Sequence, residues 1–172
     1  MKDMEIRFIR AFDSELGDAL HFFKLASQSL AEKKVSQWSY WADPPEEKIK
    51  WVKEGFDKRE FFFVYGPSGN KIAMFRLLDT DTLYWNNKGV DKNTRYIHSL
   101  VVLPSYSGQG IGTAVMLKII DQLKQDKIEK LRLDCDSSNK RLCQYYEDYG
   151  FVKVGEKTTK YALNNLYEML LC

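Results

Sequence analysis

Histidine and cysteine are scarce in this 172-residue chain: His21 and His98 are the two histidines, and Cys135, Cys143 and Cys172 the three cysteines, none in Cys-x-x-Cys spacing. Such a supply offers no metal-ligand set and no even-numbered disulfide framework, so no metal site is expected and the thiols are expected to be reduced. Long apolar runs are missing too. Nothing approaches the ~18 residues of a membrane span, and Met1–Glu5 lacks the apolar core of a signal peptide, so no membrane partner and a cytoplasmic location are expected. Charge of one sign is never concentrated: 26 basic and 24 acidic residues are interspersed for a formal +2, which argues against a nucleic-acid partner held by a polybasic tract. Repeats and low-complexity tracts are likewise absent. With 44% hydrophobic and 14% aromatic residues, the chain has the apolar material for one domain spanning 1–172 and no room for a second.

What the chain does have is an apolar stretch, Leu100-Val101-Val102-Leu103, running into Pro104-Ser105-Tyr106-Ser107-Gly108-Gln109-Gly110-Ile111-Gly112-Thr113. Behind it, Met116, Ile119, Ile120 and Leu123 fall at the i, i+3, i+4, i+7 spacing of one buried helix face. A helix starting near Gln109 to Gly112 presents unpaired N–H groups and the positive end of its dipole, which suits a phosphate. Glycines at 108, 110 and 112 leave those amides uncovered and tolerate the positive φ of a tight turn. Glycine as simple strand-to-helix punctuation is the competing reading. A Walker loop is excluded, because no Gly-Lys-Ser/Thr ending follows, and no acidic residue stands at the spacing of a dinucleotide-binding βαβ unit.

About thirty residues on comes Asn139-Lys140-Arg141-Leu142-Cys143-Gln144-Tyr145-Tyr146-Glu147-Asp148-Tyr149-Gly150-Phe151. The two blocks together resemble the GCN5-related N-acetyltransferase superfamily, whose members carry an Arg/Gln-x-x-Gly-x-Gly/Ala turn and, downstream, Asn, a Tyr seven residues later and Gly-Phe beyond it. The resemblance covers roughly Tyr96 to Glu156. It implies acetyl-coenzyme A as co-substrate, with the pantetheine on the backbone of Leu100, Val101 and Val102 and the pyrophosphate in the turn formed by Ser107, Gly108, Gln109, Gly110, Ile111, Gly112 and Thr113. One departure is plain: Ser107 stands where the family has Arg or Gln, and no Lys or Arg occurs between Arg95 and Lys118. Amides, the helix dipole and the hydroxyls of Ser107 and Thr113 must then carry the anion, with Lys140 and Arg141 in reserve.

The resemblance also implies that Tyr146 donates a proton to the departing thiolate and that Asn139 touches the cofactor. Each has a structural alternative: Asn139 is a good helix cap, and Leu142, Tyr145, Tyr146 and Tyr149 form a packing stripe. A phenol with an ordinary pKa near 10 suits the acid's task, and Tyr145 points roughly 100° away on the same helix. The amine nucleophile must shed a proton before it attacks. His98, where some members of the family carry a base, is the leading candidate, and Asp134 on the fifth strand is the second; an ion pair with Arg132 is the competing role for Asp134.

Coarsely read, a strand at 4–12 is followed by a helix capped by Asp13, with Leu16, Ala19, Leu20 and Phe23 on one face, and by a second helix capped by Asp43 with Pro44 in its first turn. Phe61 to Gly66 and Lys71 to Leu78 flank the hairpin signal Pro67-Ser68-Gly69-Asn70. An extended stretch near Leu83 to Trp85 precedes a polar loop, the strand Tyr96 to Leu103 and the glycine turn. These elements give an α/β fold around one sheet flanked by helices, and the resemblance implies that the sheet is mixed and mostly antiparallel, with the fourth and fifth strands splayed at a cofactor notch. The activity expected is transfer of acetyl from acetyl-coenzyme A to a small-molecule or peptide amine by direct attack, and a homodimer is compatible with the chain. The resemblance implies an acceptor side formed by the first two helices and the loop before the fourth strand, which here carry Trp38, Trp41, Asp43, Asp79, Asp81 and Trp85. A catalytically silent module that binds an acyl-coenzyme A is the alternative.

Overall fold

The computed structural model describes residues 4–172. Its main elements are β1 (Arg7–Arg10), α1 (Leu16–Glu32), α2 (Glu46–Asp57), β2 (Phe61–Tyr65), β3 (Lys71–Leu78), α3 (Thr82–Trp85), β4 (Thr94–Val102), α4 (Ile111–Gln125), β5 (Lys130–Asp136), α5 (Lys140–Asp148), β6 (Val152–Thr158) and β7 (Leu163–Leu170). The fold is α/β: the seven strands form a mostly antiparallel sheet in the order β1-β2-β3-β4-β5-β7-β6, with β4 and β5 its one parallel pair. Among the described residues no helix is long and apolar enough to cross a membrane.

The chain divides into two compact units, the first comprising residues up to Arg76 with Ser99–Lys118 and the second Leu77–His98 with Ile119–Cys172. In the first unit, β1 and β2 pair antiparallel, as do β2 and β3. The β2–β3 hairpin turns at the expected place: Gly66 N–H donates to the Asn70 carbonyl at 3.0 Å, and Gly69 takes the φ of +81° that an L side chain resists. The core gathers Ala19, Phe22 and Phe23 of α1, Val52 and Phe56 of α2, and Phe61, Phe63 and Met74. Trp41 joins it, stacked on Phe23 at 3.9 Å between ring centroids. Arg76 is buried here as well; its Nε donates to Glu60 at 2.7 Å and its guanidinium lies 4.1 Å over the Trp51 ring, so the charge is paired as burial demands.

In the second unit β5 pairs antiparallel with β7, and β7 with β6. Tyr96, Leu78, Trp85 and Leu166 form its buried cluster. Arg132 donates to Glu168 at 2.9 Å and to the Lys88 carbonyl at 2.9 Å, with its guanidinium 4.6 Å over the Trp85 ring.

Several local expectations fail, each for a physical reason. The first strand is shorter than 4–12. Asp13 does not cap α1; it opens a 3-10 turn, Asp13–Glu15, in which the Glu15 carboxylate accepts the Phe12 N–H at 2.9 Å. Asp43 does not cap α2 either: two successive prolines hold the chain extended, the helix begins only at Glu46 after Pro45, and no side chain caps it. Glu46 and Glu47 in its first turn supply the favourable charge instead. Leu83 to Trp85 is helical, because the Asp81 side chain accepts the Tyr84 N–H and starts a turn. Residues 86–90 continue as a 3-10 helix.

Candidate functional site

The glycine turn belongs to the first unit. The strand β4 ends at Val102, and a 3-10 turn over Pro104–Tyr106 brings the chain to Ser107. Gly108 and Gly110 have φ of +76° and +74°, and nothing lies within 4 Å of where a Cβ on either would stand. That combination is an open cradle of backbone held in the left-handed region, and residues 107–110 are exposed. Gly112 differs: it lies inside α4, where positive φ is not needed. Ala114 N–H bonds the Gly110 carbonyl at 3.1 Å, so the amides just ahead of it are those a helix start leaves without an i−4 partner. Burial of Met116, Ile119, Ile120 and Leu123 anchors α4 as its periodicity requires. The residues present fit a pyrophosphate held by main-chain groups rather than by a cation.

The titratable cluster belongs to the second unit. β4 and β5 pair at Thr94↔Lys130, Arg95↔Leu131 and Tyr96↔Arg132. Two residues beyond the last pair stand His98 and Asp134, on the sheet face that Tyr96 and Arg132 also share. Asp134 Oδ1 lies 3.3 Å from His98 Nδ1. The two residues read from the sequence as rival bases are therefore neighbours. Arg132, the competing partner for Asp134, is engaged by Glu168. The following residue, Ser99, has φ of +58°, a left-handed kink at which β4 departs from regular extension.

A third group, read from the sequence only as an acceptor-side acid, completes the cluster. Asp81 Oδ2 lies 2.7 Å from His98 Nε2, with the Asp81 side chain 3% and the His98 side chain 10% exposed. Tyr84 packs its ring 4.9 Å from the imidazole. The sequence signal for this arrangement was slight: an Asp three residues before an aromatic pair marks a helix cap, but nothing in the spacing ties it to a histidine seventeen residues on.

Tyr146 is buried on α5, its ring 5.9 Å from Phe151 and 6.5 Å from Tyr167. Burial first, and then the nearby Cys135, Tyr145 and Asp134, push its phenol well above the usual value, so it stays protonated at neutral pH. Tyr145 turns the other way, with its hydroxyl 3.1 Å from that of Tyr149. Asn139 takes its capping role: the side-chain oxygen accepts the Leu142 N–H at 3.2 Å and α5 begins at Lys140. Cys135 and Cys143 are buried with their sulfurs 3.3 Å apart, and burial raises the Cys135 thiol, which keeps it neutral. Of the acceptor-side candidates, Trp41 and Trp85 are core residues, and Asp79 pairs with Arg95 at 3.0 Å.

Comparison with known proteins agrees with this fold. A family model described as "Acetyltransferase (GNAT) family" matches residues 27–151. The chain is 26% identical over 105 residues to an uncharacterized N-acetyltransferase, YesJ, of Bacillus subtilis; the match spans 59% of this chain and 58% of that relative's own length. A solved GNAT-family acetyltransferase from Listeria monocytogenes superposes with a TM-score of 0.78 at 20% identity, covering 97% of this chain and 95% of the other. Aminoglycoside acetyltransferase AAC(6')-Ib, solved in complex with coenzyme A, superposes with a TM-score of 0.70 at 19% identity over 96% and 95% of the two chains.

Proposed function

Because the chain belongs to the GNAT acetyltransferase family, we propose that it moves an acetyl group from acetyl-coenzyme A to a primary amine by direct attack in a ternary complex. The observation that carries this reading is the meeting of His98 with Asp134 two residues past the last β4–β5 pair, in the same unit as the buried phenol of Tyr146. A proton acceptor and a proton donor are what aminolysis of a thioester requires. The coenzyme A complex of a structural relative supports the choice of donor. In this chain the amides of Gly108 to Thr113, at the exposed turn over 107–110 and the start of α4, would take the pyrophosphate, and the backbone of Leu100, Val101 and Val102 the pantetheine.

The proton balance runs as follows. An alkylammonium first gives one proton to His98, which frees the nitrogen lone pair. The amine attacks the thioester carbon; the C–N bond forms and the C–S bond breaks. The second nitrogen proton passes to solvent as the amide forms, the thiolate takes a proton from Tyr146, which is restored from solvent, and His98 returns its own proton to solvent. One proton is released overall. Burial holds the phenol above its ordinary value, so Tyr146 still carries its proton when the thiolate develops, although it is then a weaker acid than a phenol matched to the thiol.

The test is thiol release from acetyl-coenzyme A across a panel of small amines, amino acids, aminoglycosides and peptides. Free coenzyme A should appear only with a suitable amine, in step with the N-acetyl product. Binding of acetyl-coenzyme A with no amine-dependent release across the panel would instead make this a silent acyl-coenzyme A module.

A further inference from the structure

The geometry points to Asp81 as a positioning residue that fixes which nitrogen of His98 is basic, an inference that rests on the reading of His98 as the base. A carboxylate only accepts hydrogen bonds, so the 2.7 Å contact between Asp81 Oδ2 and His98 Nε2 requires the hydrogen to sit on Nε2. In the neutral ring the lone pair then lies on Nδ1. That nitrogen is the one facing Asp134 Oδ1 at 3.3 Å, so a proton arriving on Nδ1 comes into ion-pair range of a second carboxylate. His98 is thereby oriented from one side and its charged form stabilised from the other. This is the logic by which a carboxylate holds a catalytic imidazole in one tautomer.

Asp81 is itself held rigidly. Its Oδ1 accepts the Tyr84 N–H at 3.2 Å, its own N–H donates to the Gly89 carbonyl at 2.8 Å, and its carbonyl accepts the Trp85 N–H at 3.1 Å. The Tyr84 ring against the imidazole restrains rotation of the ring. The titratable groups that face His98 include Asp81 and Tyr84 from the segment around α3 and Asp134 from β5, while the charge of Arg132 is turned to Glu168. His98 and Asp134 are one proton-accepting unit with Asp81 behind it, rather than alternatives.

Asp81→Asn tests this. The amide keeps the size and can still accept the Tyr84 N–H, but it offers an N–H toward Nε2 and so favours the opposite tautomer, with hydrogen on the nitrogen that should receive the proton. With 15N-labelled histidine, the resting wild-type protein should show a proton-bearing Nε2 and a bare Nδ1, and Asp81→Asn should invert that pattern. With a productive amine, kcat/KM should fall about 100-fold or more, with the affinity for acetyl-coenzyme A unchanged, and Asp81→Glu should recover part of the loss. A wild-type ring with hydrogen on Nδ1 alone, or one protonated on both nitrogens throughout about pH 5 to 9, overturns the inference. So does an Asp81→Asn protein with the wild-type nitrogen pattern and pH profile. The nitrogen spectrum needs no substrate, so an inverted tautomer in a protein that acetylates no amine would sink the transferase reading and leave the role of Asp81 toward the ring intact.

Discussion

Gly89 packs against Asp81 so closely that a Cβ on it would collide with the Asp81 carbonyl, while its own carbonyl accepts the Asp81 N–H at 2.8 Å. A glycine in a 3-10 turn thus sets the position of the carboxylate that meets His98. Gly89→Ala must push the Asp81 backbone away, at an overpacking cost on the order of 1–3 kcal/mol. The melting temperature should fall. Activity should fall further than the folded fraction does, with a change in the low-pH limb of kcat/KM, since His98 loses its anchor. A wild-type pH profile in a well-folded Gly89→Ala protein would detach this turn from the site.

The glycine turn makes a separable prediction. Gly110 has φ of +74° and open space where a side chain would go, so Gly110→Val costs roughly 1–2 kcal/mol of backbone strain without a clash, and the fold should survive. The new side chain would cover the amides proposed for the pyrophosphate. Calorimetric titration should show binding of acetyl-coenzyme A to the wild type and none to Gly110→Val. Gly17→Ala, on α1 with similar open space, is the control that should leave affinity alone.

For Tyr146→Phe the ring and its contacts with Phe151 and Tyr167 remain, but the donor is gone. Turnover should drop about 10- to 1000-fold, in the range of general-acid effects, with cofactor affinity retained. Tyr145→Phe gives up the hydroxyl contact with Tyr149 and should be close to wild type. Steady-state kinetics of the two variants measured together decide the assignment; a reversed pattern would move the acid to Tyr145.

Much of this is legible in the sequence. The β2–β3 hairpin follows from two short apolar runs rich in aromatic and β-branched residues around Pro67-Ser68-Gly69-Asn70, and α4 from a period that Met116, Ile119, Ile120 and Leu123 repeat without interruption; all four are buried. Both signals are local, so tertiary context had little to overrule. The helix starts depart from the sequence signal because Asp13 and Asp43 have the right chemistry for a cap, yet Glu15 and the Pro44-Pro45 pair decide the backbone there. Leu83 to Trp85 has the composition of a strand, but the Asp81 side chain captures the Tyr84 amide and Trp85 is buried from a helical turn. The Asp81–His98 contact depends on that turn, and no periodicity encodes it. Pairing of β4 with β5 likewise brings Asp134 to His98 from 36 residues away in the sequence, a non-local event.

Alkaline pH provides the last prediction. Burial raises the Tyr146 phenol above its ordinary value, so in the folded protein it holds its proton where the unfolded chain, with a phenol near pKa 10, has begun to lose it. Above about pH 10 the unfolded state therefore binds fewer protons than the folded one, and stability declines as pH rises, by about 1.4 kcal/mol per pH unit for one such group. Below about pH 10 both states are protonated and this tyrosine contributes no slope. Urea unfolding at a series of pH values should show stability falling through the alkaline range in the wild type and falling less steeply in Tyr146→Phe, which has no phenol to ionise. Equal alkaline slopes in the two proteins would mean that the Tyr146 hydroxyl ionises as easily in the folded state as in the unfolded chain, and the timing argued for it as a late proton donor would fail with that result.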